Sequence, residues 1–231
     1  MADSKHCLEV LGLTAGYGTE AAVISGLDFI LEKEECLCLH GASGCGKSTV
    51  IWAVMGVIGE LGGYADGKVL YHGENGPVEI LHGDAEGVRC LRWKEIALVP
   101  QSSMNSFNPM YTVRQTISEV LFQHDQTLGK AGARERCLEL LEMVQLGEEV
   151  LGSYPSELSG GMKQRAAIAL ALALDPGLLI LDEATTGLDV IVEADILWLL
   201  RRLRREKGMS MLFVSHDDRI ARAFCDRRLE L

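Results

Sequence analysis

Residues 41–49 read GASGCGKST, and the fold turns on how this nonapeptide is read. The apolar run ECLCLH (35–40) precedes it, with the length and boundaries of a buried strand. STVIWAVMGVI follows, an apolar helix pattern. The stretch fits G-x-x-x-x-G-K-[ST] in the strand–loop–helix setting that this pattern requires. Gly41, Gly44 and Gly46 let the backbone curl so that its N–H groups, including those of Ala42, Ser43 and Cys45, point inward at phosphate oxygens. Lys47 adds a point charge for β- and γ-phosphates. The Ser48 hydroxyl, followed by Thr49, offers a hard oxygen to Mg²⁺.

A phosphate loop of this kind needs a carboxylate for its metal at the end of a neighbouring strand. LLILDE (178–183) supplies one. Four apolar residues build the strand, and Asp182 emerges at its C-terminal end, where ligands gather in parallel sheets. Two adjacent acids ending a buried strand resist burial unless they are used. The division of labour is Asp182 toward Mg²⁺ and Glu183 toward the water that attacks the γ-phosphate.

Outward from these motifs, strand composition appears at 7–13 and 28–31, on either side of a Gly-rich turn, and at 35–40, 95–100, 178–182 and 209–216. Residues 59–90 read as an antiparallel sheet region. Helical patterns occupy 113–122, 133–146 and 191–206. Strand, helix and strand in succession predict an α/β fold with a mostly parallel core sheet. One domain over 1–231 is expected. Residues 1–100 and 162–231 make its core with the antiparallel β region, and 101–161 insert as a helical subdomain.

Composition narrows the function. With 22 Lys and Arg against 33 Asp and Glu, the net charge is −11, which argues against a nucleic-acid partner. The one strong basic stretch, RRLRREK (201–207), reads as the solvated end of an amphipathic helix. Seven cysteines are scattered along the chain, and Cys36 and Cys38 share a strand face at a spacing unlike that of zinc sites. Buried, reduced thiols are the expectation. MADSKHCLEV has no apolar signal segment. The longest clean apolar run, 166–174, is too short to span a bilayer, so a membrane role would come through a partner.

LSGGMKQR (158–165) is a second Ser/Gly loop at a helix start, and it has no lysine–hydroxyl pair after its glycines. Together, GASGCGKST, VPQ (99–101), LSGGMKQR, LLILDEATTGLD (178–189) and VSHD (214–217) resemble, in this order, the ATP-binding-cassette ATPases. The resemblance covers about residues 7–228. It implies a head-to-tail dimer of two such subunits, identical or similar, with each ATP between one subunit's phosphate loop and the other's Ser159, Gly160 and Gly161. Tyr17 matches the aromatic that stacks on adenine. Gln101 matches a glutamine that touches Mg²⁺ and the attacking water. Leu188 and Asp189 match a loop that crosses the dimer interface. His216 matches the histidine that contacts the γ-phosphate and steadies Glu183.

QSSMNSFNPMYTV (101–113) and the stretch from SYPSELSGG to LDV (153–190) look closest to importers of oligopeptides, dipeptides or nickel. That branch implies permease subunits in the membrane, a substrate-binding protein acting through them, and a peripheral position on the cytoplasmic side. The alternative is a soluble cassette ATPase of translation or DNA repair. Two departures stand out. Ala184 replaces the proline usual after the acidic pair, a change expected to leave Asp182 and Glu183 in place. The sequence also stops at Leu231, short of the strands and helices usual in the family. It reads as truncated or compact, and a missing C-terminal edge is expected to leave apolar surface exposed.

Overall fold

The computed structural model describes residues 5–19, 21–73, 75–101 and 107–231. Five strands form a parallel sheet in the order β6 (Ile96–Val99), β7 (Leu178–Asp182), β8 (Ser210–Ser215), β3 (Cys36–His40), β9 (Arg227–Glu230). Residue period decides which side each chain segment feeds. Leu37, Leu39, Leu178, Ile180, Leu212 and Val214 enter one buried cluster, and Cys36, Cys38, Leu179, Leu181, Met211 and Phe213 enter another. A strand buried on both faces carries an unbroken apolar run, which is why CLCL and LLIL stand out in the sequence.

The first cluster is closed by α1 (Lys47–Val54) and by an antiparallel sheet. That sheet runs in the order β2 (Ile24–Glu32), β1 (His6–Tyr17), β4 (Gly63–Gly73), β5 (Gly76–Glu79). The second is closed by α3 (Val113–His124), α4 (Lys130–Met143), α5 (Gly160–Ala171), α6 (Val190–Lys207) and α7 (Asp218–Phe224). Thr112 and Gln115 form a reciprocal cap at the start of α3. Arg136 of α4 donates to the carbonyls of Leu172 and Ala173, and Arg165 of α5 donates to that of Val144, which ties the helices to one another.

Three expectations are corrected. TAGY is not a turn: β1 continues to Tyr17, shifting register on either side of Gly12, while β2 begins at Ile24. The antiparallel region does not extend to residue 90. Asp84 accepts from the Gly87 N–H at 2.8 Å and starts a short helix, α2 (Ala85–Leu91). The basic end of α6 is more than a solvated face. Arg201 reaches the Ala223 carbonyl, Arg202 that of Met143, and Arg204 the Asp226 carboxylate. β9 pairs with β3 in parallel from Leu37↔Arg227 to His40↔Glu230 and is the last strand of the sheet. RRLE carries too little apolar signal for its period to mark a strand. Residues 102–106 of the QSSMNSFNPMYTV segment lie outside the described residues.

Candidate nucleotide site

The loop after β3 curls as its glycines require. Gly44 and Gly46 take φ of +82° and +103°, conformations that a side chain would strain. Gly46 caps α1, so the unpaired N–H groups at the start of that helix face the cleft. Lys47 is buried, and its ammonium donates to the carbonyls of Gly41 at 2.9 Å and Ala42 at 2.8 Å. A cleft of about 260 Å³ opens over the loop, lined by Ser43, Gly44, Gly46, Lys47, Ser48, Thr49, Tyr17, Val23, Gln101, Asp182 and Glu183. Gly41, Ala42 and Cys45 belong to the loop but not to that lining.

β7 delivers both acids. Asp182 is its last residue and is buried, whereas Glu183 turns away with φ +46°, a left-handed conformation uncommon for a non-glycine residue. The turn is held by the Glu183 N–H donating to the Val214 carbonyl at 3.0 Å. Ala184 is buried just beyond, with both carboxylates in position. Glu183 gathers the other predicted groups. Its Oε2 accepts from Gln101 Nε2 at 2.9 Å, and His216 Nδ1 lies 3.1 Å from its Oε1. Three residues far apart in sequence thus meet at one carboxylate.

Burial pushes the Asp182 carboxyl up to about 6; the Glu183 charge adds to the rise and Lys47 opposes it. Below the ordinary carboxylate range Asp182 is protonated folded or unfolded and has no effect on stability. Between about pH 4 and 6 the unfolded chain releases the proton first, which favours unfolding; above 6 the penalty is complete. Without nucleotide or metal, Asp182→Asn is therefore expected to be more stable than the parent at pH 7.5, by up to about 3 kcal/mol. The difference should vanish toward pH 4, as read from denaturant midpoints across that range.

The second Ser/Gly loop sits elsewhere. None of Ser159, Gly160 and Gly161 lines the cleft. Ser159 caps α5 by accepting from the Met162 N–H at 3.3 Å, and both Ser159 and Gly160 are exposed. Asp189 likewise caps α6, accepting from the Ile191 and Val192 N–H groups. Two residues escaped the sequence reading. Val23 lines the cleft beside the loop, and no motif marks it. The Thr186 hydroxyl donates to Glu183 Oε2 at 3.4 Å; its place in ATTG, just past the acidic pair, is the signal that was there to use.

A buried strand, a glycine loop with a committed lysine and a strand-end acid pair define a phosphate-loop nucleotide-binding protein. Residues 24–186 match the ABC transporter family, and the chain belongs to it. It is 39% identical over 214 residues to the oligopeptide transport ATP-binding protein OppD of Bacillus subtilis, covering 91% of this chain and 58% of that protein. It is 40% identical over 203 residues to the dipeptide transport ATP-binding protein DppD of Caldanaerobacter subterraneus, covering 87% and 61%. The chain thus spans less than two thirds of either relative's length. Its fold is similar to that of cbiO1 from Clostridium perfringens, part of the ABC transporter complex cbiONQ, with TM-score 0.84, 26% identity and 98% and 85% of the two chains covered.

Proposed function

We propose that this chain binds and hydrolyses ATP as the motor subunit of an importer, with peptides as cargo. The observation that carries the reading is the meeting of Gln101 and His216 on Glu183, beside the buried Lys47. In this reading Lys47 and the loop N–H groups hold the phosphates, and Tyr17 and Val23 flank the base. Glu183 takes the proton of the attacking water, while His216 and Gln101 fix the direction of its carboxylate. The donor chemistry suits Mg²⁺, since the Ser48 hydroxyl, the Asp182 carboxylate and the Gln101 carbonyl are hard oxygens on one cleft. Among the described residues no cluster of three or more His, Cys, Asp or Glu could hold a metal alone, so the phosphates would complete the set. Mg²⁺ there would neutralise charge developing on the β- and γ-phosphates.

The head-to-tail pairing is supported by the solvent-facing Ser159 and Gly160, away from their own chain's cleft. Val190 and Ile191 are 73% and 76% exposed next to Asp189, an apolar pair suited to an interface. Permease contact is supported by Met110, Tyr111 and Tyr154, all exposed, on segments joined by the Val113 N–H to Ser153 carbonyl bond. No helix among the described residues is long and apolar enough to cross a membrane, in keeping with a peripheral subunit. Peptide rather than nickel cargo follows the names of the relatives.

Affinity purification of the full-length protein from its own membranes tests the proposal. Co-purifying permease subunits, with Mg²⁺-dependent phosphate release stimulated by a peptide-loaded binding protein, are expected. Recovery with ribosomes or DNA and no permease would support the soluble alternative.

A further inference from the structure

Cys36, Cys38 and Cys225 form a cluster on the far side of β3 from α1. Cys36 Sγ lies 3.5 Å from Cys225 Sγ, at the junction between α7 and β9. The backbone holds them together. The Asp226 N–H donates to the Cys36 carbonyl at 2.9 Å, and the Cys36 N–H donates to Asp226 Oδ2 at 2.8 Å. Leu37 is paired with Arg227 in parallel, and neighbouring strands lie about 4.8 Å apart. That places the 225–226 segment beside residue 36, within the range of Cα separations that a disulfide spans.

The two sulfurs differ in environment. Cys36 is fully buried and Cys225 is half-buried, so a reagent meets Cys225 first. Arg204 pairs with the Asp226 carboxylate that accepts from the Cys36 N–H, so its guanidinium stands beside the pair, and the Arg228 charge lowers the pKa of Cys38. Guanidinium groups beside buried sulfurs favour a thiolate within the cluster. Hydrogen bonding from Cys225 lowers the pKa of Cys38, while the neighbouring sulfur of Cys36 raises that of Cys225. None of these groups belongs to the nucleotide cleft.

We propose that Cys36 and Cys225 are a redox-active dithiol, which a small disulfide such as glutathione disulfide converts to an intramolecular bond. In the first exchange the Cys225 sulfur attacks the small disulfide, whose S–S bond breaks, and the Cys225 proton leaves with one small thiol. In the second, the Cys36 sulfur attacks Cys225 Sγ, breaking the mixed disulfide, and the Cys36 proton leaves with the second small thiol. Two protein thiols and one small disulfide become one protein disulfide and two small thiols. The product fastens β9 to β3, and with it α7 and the segment that carries His216. Because the bonded residues are far apart in sequence, the bridge restricts the unfolded chain strongly.

The test needs no nucleotide or transport partner. The full chain is incubated with glutathione disulfide, or with dithiothreitol as control, then alkylated, digested and mapped by mass. A Cys36–Cys225 linked peptide is expected, together with a reversible rise in Tm of roughly 5 °C or more. Cys225→Ser should lose the link and the rise, while Cys38→Ser should keep both. The proposal is overturned if oxidised wild type shows no link, if Cys225 stops at a mixed disulfide, or if the bond joins Cys38 instead.

Discussion

Glu183→Gln is expected to lower ATP turnover by about 100-fold to 10,000-fold while leaving ATP binding intact, the range over which a general base contributes. The geometry makes this a clean substitution. An amide oxygen can still accept from Gln101 Nε2, which now sits 2.9 Å from the carboxylate. The strained φ of +46° weighs on glutamate and glutamine alike, so the turn after β7 has no reason to reset. What is lost is a group able to take a proton. The buried Lys47 and the loop N–H groups remain, so affinity for ATP should change by less than a few fold. In the proposed head-to-tail pair, bound ATP would then persist and the closed dimer accumulate. Phosphate release, equilibrium binding of labelled ATP and size-exclusion profiles with ATP and Mg²⁺ read the three outcomes separately. Hydrolysis at the parental rate would remove Glu183 from the base role, leaving its bonds to Gln101 and His216 as scaffolding.

The sequence was most legible where local chemistry leaves few choices. A loop that must present its backbone to phosphate demands glycine, so GASGCGKST marked both β3 and α1. Central strands buried on two faces demand unbroken apolar runs, and LLILD and MLFVS stood out for that reason. Legibility failed where tertiary packing decides. RRLE gave no strand signal because β9 gains its place through pairing with β3 rather than through apolar period. Val23 gave no site signal because its part in the cleft comes from chain return, with a Cβ at Gly46 meeting it at 2.9 Å. The proximity of Cys36 and Cys225 was invisible for the same reason, as nothing local links β3 to the end of α7. Glu183 was legible as the second acid ending an apolar strand, whereas Gln101 and His216 were picked out by resemblance, and only the fold brings those two within hydrogen-bonding distance of Glu183.

Gly160→Ala tests the other half of the proposed site, and it should reduce turnover by about 100-fold or more, the scale seen when one well-aimed donor to a reacting oxygen is lost. The choice among Ser159, Gly160 and Gly161 rests on what each substitution does inside its own chain. A Cβ at Gly161 would lie 2.8 Å from Val192 Cγ1, so that variant would disturb α6 before any partner arrived. Ser159→Ala would remove the cap of α5 and cost about 1 kcal/mol of stability by itself. A Cβ at Gly160 meets only Leu188 Cδ2, at an ordinary 3.7 Å, and alanine is the better helix former. The isolated chain should therefore keep its Tm and bind ATP as before, since the cleft over Lys47 contains no part of this loop. The damage should appear only where a second chain's γ-phosphate has to approach the bare backbone of Gly160, as lost turnover and lost ATP-dependent dimer. A monomer that lost ATP binding instead would place this loop at its own chain's nucleotide and end the two-chain reading.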